Sequence, residues 1–228
     1  MARIYPLFSS SKGNAVFLGT AAGGILIDAG VSLRRLKTAM SRCGLPPEAI
    51  RAVFITHDHS DHIAGLPMLT KQLAVPVYAQ HITGQHLLEK CCIAEGGECF
   101  EITGTVSICD MEITPFDTPH DTDQSCGYRI TMPDGRICAV CTDLGCVTDT
   151  VAQGVTGCDL VLLEANYDEQ MLRTGPYPDY LKARIASDRG HLSNAASGAF
   201  ARRLIESGTT RLLLGHLSQE NKRILQSF

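Results

Sequence analysis

The run 57–62, His-Asp-His-Ser-Asp-His, is the densest group of metal-competent side chains in the sequence. It follows a short apolar stretch that is typical of a buried strand. On an extended segment His57 and His59 point to the same side, because side chains alternate along a strand. Asp61 and His62 fall where a helix is predicted to begin, so they can face a second point. The run can therefore supply ligands to two adjacent metal positions.

Imidazole and carboxylate ligands together suit zinc, manganese, iron or nickel. The alternative is a polar loop with coincidental histidines, but three of the chain's eight histidines lie in these six residues. We therefore expect two divalent metal ions of one of these elements. Bound ions of this kind activate water and polarise the bond to be cleaved, so the run predicts a metal-dependent hydrolase. His81 and His86, five residues apart on a predicted helix, are expected to be solvated.

The surrounding pattern predicts the elements that position these side chains. In order they are strands at 2–8, 14–19 and 23–28, a helix at 33–43, a strand at 52–56, a helix at 61–73, a strand at 75–79, a helix at 81–90, strands at 99–102, 105–109, 111–117, 126–132, 136–141 and 159–164, irregular helix at 166–187, a helix at 194–207 and a strand at 211–215. This order fits two packed sheets with helices outside better than a strictly alternating parallel fold.

Composition sets the limits of the functional classes. The 228 residues are 44% hydrophobic, which suits one domain with a substantial core. With a net charge of −4, the chain lacks the excess of positive charge that is typical of a basic nucleic-acid-binding domain. Two bound divalent cations would nevertheless add positive charge where a phosphate needs it. No apolar stretch approaches the ~20 residues of a membrane span, so no membrane partner is expected.

Ten cysteines raise the question of disulfides. Several lie inside apolar runs such as 137–141, where cysteine behaves as a small buried hydrophobe. The N-terminus also lacks the pattern of a signal peptide. We therefore predict a reduced, cytoplasmic chain.

The spacing of the later histidines and one aspartate resembles the metallo-β-lactamase fold family, in which an apolar strand is followed by HxHxDH. The later ligand motifs of the family correspond to His120 in Thr-Pro-His-Asp, Asp143 in Thr-Asp-Leu-Gly, and His216 after a short apolar strand. The resemblance implies an α+β fold, a four-layer αββα sandwich spanning residues 1–228.

The resemblance also implies a ligand set for two ions. One ion is held by His57, His59 and His120, the other by Asp61, His62 and His216, and Asp143 bridges them. Each of these motifs comes just after an apolar strand, and sheets of this kind bring the side chains at such strand ends together at one edge.

Glu164 in Leu-Glu-Ala-Asn and His191 in Gly-His-Leu-Ser resemble a pair found in the tRNA 3′-processing endonuclease branch of this family. There a carboxylate orients a histidine that protonates the leaving oxygen. By resemblance His191 is the general acid, Glu164 positions it, and Asp61 completes the predicted catalytic residues. The alternative is that His191 only precedes the cap of the next helix.

Two further segments resemble the YycJ/WalJ group of this family, described as 5′→3′ DNA exonucleases. The stretch 215–221 matches a His-Leu-Ser-x-x-Asn motif that ends at Asn221, and the loop 8–14 matches a Ser-Ser-x-x-Gly-Asn motif. The loop's amides, hydroxyls and lysine suit a phosphate, although an ordinary turn explains it equally well. Lys222 stands where a second asparagine is usual. Relatives run further past Phe228, so we expect a chain shortened at its C-terminus.

These features favour a phosphodiesterase that acts on nucleic acid, DNA rather than RNA. Metal-activated water would attack phosphorus while His191 protonates the departing sugar oxygen. The enzyme alternative is a small-molecule hydrolase acting on a thioester, lactone or cyclic phosphodiester, which the acidic charge and the size favour. The third hypothesis is a metal-bound regulatory protein that catalyses no reaction. The complete ligand set argues against it, because a site without activity would normally have lost a ligand.

Overall fold

Two six-stranded sheets form the centre of the molecule in the computed structural model, which describes residues 3–218. The strands of the first sheet lie in sequence order: β1 (Arg3–Ser10), β2 (Gly13–Thr20), β3 (Gly23–Ile27), β4 (Ile50–Phe54), β5 (Val77–Ala79) and β6 (Cys99–Glu101). The first three are antiparallel, and β3 to β6 run parallel to one another.

The second sheet is also ordered along the chain: β7 (Val106–Ile108), β8 (Met111–Asp117), β9 (Cys126–Thr131), β10 (Ile137–Cys141), β11 (Leu160–Glu164) and β12 (Arg211–Gly215). Antiparallel pairing joins β7 to β10, and parallel pairing joins β10 to β12. Strands β8, β10, β11 and β12 therefore run in one direction and end at the same edge.

Helices cover the outer face of each sheet. They are α1 (Leu33–Arg42), α2 (Ser60–Ile63), α3 (Leu66–Leu73), α4 (His81–Glu89), α5 (Asp149–Val155), α6 (Glu169–Thr174), α7 (Asp179–Ile185) and α8 (Asn194–Glu206), with a 3₁₀ turn at Pro47–Ala49. None of these helices in residues 3–218 is long and apolar enough to cross a membrane.

Three apolar clusters separate the four layers. Phe54 and Tyr128 belong to the cluster between the sheets. Leu36 of α1 packs in the cluster outside the first sheet, and Phe200 of α8 in the cluster outside the second. Alternation along β10 divides its side chains between two of these clusters, as period-2 burial requires. The α+β fold with αββα layers is confirmed.

The predicted single helix at 61–73 is wrong, because the chain breaks into α2 and α3 at Gly65. Its N–H donates to the Ala29 carbonyl at 2.7 Å. A Cβ at this position would lie 1.9 Å from the Val31 oxygen, so only glycine lets the two backbones approach this closely. The sequence prediction also missed α5, which Thr148 caps by accepting a hydrogen bond from the Val151 N–H.

Candidate metal and catalytic site

Strand ends of both sheets meet at one edge of the sandwich. The run 57–62 follows β4, and Asp28, Asp143 and His216 directly follow or nearly follow β3, β10 and β12. These last three residues have positive φ angles of 60°, 59° and 51°. This conformation is uncommon for residues other than glycine, and such strain concentrates at functional sites. The edge is therefore the candidate functional site.

His57, His59 and His120 form the first group of candidate ligands, with ligand atoms within 4.8 Å of one another. The Nδ1 atom of His57 faces the Thr56 hydroxyl at 3.0 Å. The Nδ1–H of His120 donates to the Gly190 carbonyl at 3.0 Å. A histidine whose Nδ1 is held in this way presents its Nε2 lone pair to a metal. The structure thus brings together the three residues that the sequence assigns to the first ion.

Asp61, His62 and His216 form the second group, also within 4.8 Å. His62 Nδ1 contacts Asp28 Oδ2 at 2.8 Å, and His216 Nδ1 contacts Glu164 Oε1 at 2.8 Å. Both carboxylates leave the opposite ring nitrogen facing the site. Asp61 Oδ2 lies 3.6 Å from the Nε2 atoms of both histidines.

Asp143 lies between the two groups and is almost fully buried. Its Oδ2 is 3.3 Å from His62 Nε2, and its Oδ1 is 3.4 Å from His216 Nε2 and 3.9 Å from His120 Nε2. One carboxylate therefore faces members of both ligand groups, which is the position that a bridging ligand requires.

Burial, the neighbouring imidazoles and the nearby carboxylates determine the charges of His57 and His62. Burial, together with the neighbouring imidazoles of His62 and His120, holds the pKa of His57 well below its usual value. Burial also opposes protonation of His62, but Asp143, Asp28 and Asp61 outweigh it and raise its pKa to about 9. The neutral form of His57 is the metal-binding form, whereas a metal must displace the proton of His62.

Three buried atoms at this edge lack a hydrogen-bond partner within residues 3–218: His57 Nε2, Asp143 Oδ2 and His216 Nε2. Buried polar atoms are nearly always satisfied, so three exceptions at one point indicate a ligand. Nitrogen and carboxylate donors in this arrangement fit a divalent cation. The donors and their geometry agree with divalent metal use.

Glu164 is fully buried and contacts two histidines through one oxygen. Its Oε1 lies 2.8 Å from the Nδ1 atoms of both His191 and His216. Its Oε2 accepts hydrogen bonds from the backbone N–H groups of Leu144 and Leu192 at 2.9 and 3.1 Å. Burial opposes ionisation, but the histidines and hydrogen bonds prevail and hold the pKa of Glu164 well below its usual value. The contact with His191 is the predicted one, whereas the contact with His216 was not foreseen.

The sequence prediction missed the residues that hold the ligands in place. Asp28 accepts hydrogen bonds from the N–H and hydroxyl of Thr56 as well as contacting His62. The Nδ2 group of Asn14 lies 3.0 Å from His62 Nε2, and that of Asn166 donates to the His216 carbonyl at 2.9 Å. The only signal for Asp28 was its place at the end of an apolar strand.

The prediction of a solvated His86 is wrong, because its Nδ1 lies 3.0 Å from Asp58 Oδ2 and its side chain is only 26% exposed. Asp58 also accepts a hydrogen bond from Thr122, so it ties the run 57–62 to its surroundings. The Asn221 motif lies outside the described residues.

Replacing Asp28 with asparagine should weaken metal binding about 10- to 100-fold, the usual effect of losing a carboxylate behind a ligating histidine. The amide keeps the shape of the side chain but removes the negative charge that holds the His62 proton on Nδ1. Calorimetric metal titration measures the change. Asp110→Asn is the matched control, because Asp110 also has a positive φ, 58°, but is exposed in the turn between β7 and β8. Equal affinities of both variants and the unmodified chain would contradict this role for Asp28.

Comparison with known proteins agrees with the geometry. Residues 24–217 match the family model described as the β-lactamase superfamily domain. The chain is 36% identical to exodeoxyribonuclease WalJ of Streptococcus pneumoniae over 219 residues, 94% of this chain and 81% of the relative. It is 32% identical to exodeoxyribonuclease YycJ of Bacillus anthracis over 218 residues, 94% of this chain and 82% of the relative.

A solved structure with the same fold is the metallo-β-lactamase fold protein YhfI of Bacillus subtilis. Its TM-score is 0.70 at 19% identity, and the alignment covers 95% of this chain and 86% of that one. At 19% identity this likeness shows the fold alone. The family is shown by the family model and by the sequence matches to WalJ and YycJ. The chain therefore belongs to the β-lactamase superfamily, within the group of metal-dependent hydrolases that contains WalJ and YycJ.

Proposed function

We propose that the chain is a two-metal exodeoxyribonuclease that works in the 5′→3′ direction. The observation that carries this proposal is the Glu164–His191 contact beside the two ligand groups, with His191 Nδ1 3.8 Å from Asp143 Oδ1. Breaking a phosphodiester expels a sugar oxygen that needs a proton, and a histidine held by a carboxylate is suited to supply it. The names of the two relatives, both exodeoxyribonucleases, support DNA as the substrate.

Two ions would be held by the two ligand groups, with Asp143 between them. We propose His57, His59 and His120 for one ion and Asp61, His62 and His216 for the other, because each set offers mutually close donor atoms. Zinc, manganese, iron and nickel all accept such ligands. When bound, the ions supply Lewis acidity toward the phosphate and make water a stronger acid.

His191 donates the proton to the departing sugar oxygen. Its Nδ1 is engaged by Glu164, so Nε2 is the nitrogen that delivers the proton. Burial disfavours the imidazolium, but Glu164 more than compensates and raises the pKa of His191 above its usual value. Glu164 therefore favours the protonated ring, which is the form that can give a proton to the leaving group.

Asp61 orients the attacking water by accepting a hydrogen bond from it. The side chain lines the cavity in front of the ligand groups, together with His59 and His191. Burial raises the pKa of Asp61, but contacts with His216 and His62 outweigh burial and lower it to about 2. The carboxylate therefore stays ionised and remains an acceptor at all physiological pH values.

Purified protein should cleave end-labelled single-stranded DNA when a divalent metal is added and should lose this activity when a chelator removes the metal. The same assay series contains RNA, a generic phosphodiester and a thioester. Oligonucleotides labelled at the 5′ or the 3′ end separate the two polarities, because only one label is released as a mononucleotide at the first time points. Cleavage of the thioester alone would contradict the proposed nuclease and favour the small-molecule hydrolase.

A further inference from the structure

One wall of the catalytic cavity is built from side chains with no part in the proposed chemistry. The cavity holds about 240 Å³ and opens onto Asp61, Asp143 and His191. Its outer wall consists of residues from α7 and the turn before it: Tyr177, Leu181, Arg184 and Ile185. Leu181, Arg184 and Ile185 share one face of α7, at spacings of three and one, and Tyr177 extends the wall from the turn before the helix.

Core packing does not explain this face. No residue of α7 is buried, although the helix contains two large aliphatic side chains. Leu181 and Ile185 line the cavity and are half-buried there. Apolar side chains that converge with a few polar groups around a concave site are typical of a surface that receives a ligand.

The wall is joined to the catalytic groups. The His191 N–H donates to the Ile185 carbonyl at 2.9 Å. Gly190 approaches α7 so closely that a Cβ there would lie 2.2 Å from the same carbonyl oxygen. On the other side, the Arg184 guanidinium binds Asp121, whose Oδ1 is 3.3 Å from His120 Nε2. A molecule that packs against α7 would therefore lie at a fixed position relative to the proton donor His191 and the proposed metal ligand His120.

We propose that this wall is the subsite for the nucleoside of the terminal deoxynucleotide, an inference that rests on the proposed function. The Tyr177 ring stacks on the base, and Leu181 and Ile185 contact its apolar face. Arg184 is the only lysine or arginine that lines this cavity among the described residues, and it faces the negatively charged phosphate. Stacking accepts any base, so the subsite tolerates all sequences.

The test compares two single-stranded DNA oligonucleotides that differ only in whether the terminal nucleotide carries a base or is abasic. The metal-loaded full chain should cleave the base-bearing oligonucleotide with a kcat/KM about tenfold higher, the scale of one base–aromatic stack. Tyr177→Leu should reduce this ratio to about twofold or less, and Leu181→Ala should reduce it in part. Tyr180→Leu is the matched control, because Tyr180 lies on α7, three residues after Tyr177, but is 76% exposed. It should keep the tenfold ratio.

The ratio isolates the subsite from the catalytic step, since a general loss of stability or metal affects both oligonucleotides alike. Equal cleavage of both by the unmodified chain would overturn the subsite alone. A tenfold ratio that survives both Tyr177→Leu and Leu181→Ala would overturn the assignment to this wall. Cleavage of neither oligonucleotide would overturn the proposed nuclease function and the subsite with it.

Discussion

Replacing Asp143 with alanine is expected to abolish DNA cleavage, with a loss of at least about 10³-fold in kcat/KM, because metal-ion stabilisation of a transition state contributes several kcal/mol. Within residues 3–218, Asp143 is the one carboxylate that faces His62, His120 and His216 together. Without it, Asp61 would be the only carboxylate left among the proposed ligands, and no carboxylate would face both ligand groups. Steady-state cleavage of end-labelled DNA measures the loss, and metal analysis of the same sample should show fewer than two ions per chain.

Asp134→Ala is the control for this variant. Asp134 lies in the hairpin between β9 and β10 and pairs with Arg136 at the surface, so its loss should leave activity and metal content unchanged. An Asp143→Ala protein that retained activity within tenfold of the unmodified chain would contradict the assignment of Asp143 as a bridging ligand.

Replacing His191 with alanine is expected to lower kcat on DNA by about 10²- to 10⁴-fold, the usual contribution of a general acid. The loss should be much smaller on bis(p-nitrophenyl) phosphate, because nitrophenolate departs without being protonated. The comparison of kcat for the two substrates therefore measures proton donation separately from metal binding. Metal content should stay at the level of the unmodified chain, since His191 is not among the proposed ligands.

His81→Ala serves as the control, because His81 is exposed on α4 and contacts only the surface carboxylate of Glu101 among the described contacts. It should leave both rates unchanged. Equal losses on DNA and on the activated ester would show that His191 acts on the structure or the metals and not as a proton donor. Glu164 is a less selective probe, because it contacts His216 as well as His191.

The sequence predicts the layers of the fold well because most strands are short apolar runs bounded by turn residues. The hairpin at Pro133-Asp134-Gly135 and the apolar runs of the two strands it joins are local features, readable without tertiary information. The break at Gly65 is different in kind. It depends mainly on contact with Ala29 and Val31, more than thirty residues earlier, and its one local signal is Pro67 in the first turn of α3. Helix α5 has only seven residues, too few to establish a period.

Residue type explains why the candidate ligands are predicted more completely than the groups behind them. Histidines after apolar strands are rare enough to be noticed. Asp28, by contrast, looks like any aspartate that starts a turn, and its partners Thr56 and His62 are 28 and 34 residues away. The same holds for Asn14, whose contact with His62 spans 48 residues. Positioning residues of this kind are recognisable only when the fold brings them together.

The net charge of −4 also becomes understandable from the site. Five carboxylates contact the proposed ligands or belong to them: Asp28, Asp61, Asp121, Asp143 and Glu164. Asp121 is paired with Arg184, and two divalent cations, as proposed, would match the charge of the other four, so the formal count overstates the repulsion that a phosphate would meet there. An acidic chain and a phosphodiester substrate are therefore compatible.

The most direct test of the proposed function is a metal titration of the chelator-treated chain, followed by cleavage of labelled single-stranded DNA. No cleavage is expected before metal is added, and activity should rise until two equivalents are bound per chain. Mononucleotides should be the first products. Full DNA cleavage with one equivalent or none would contradict the two-metal site, and a fully loaded chain that leaves DNA intact would contradict the nuclease.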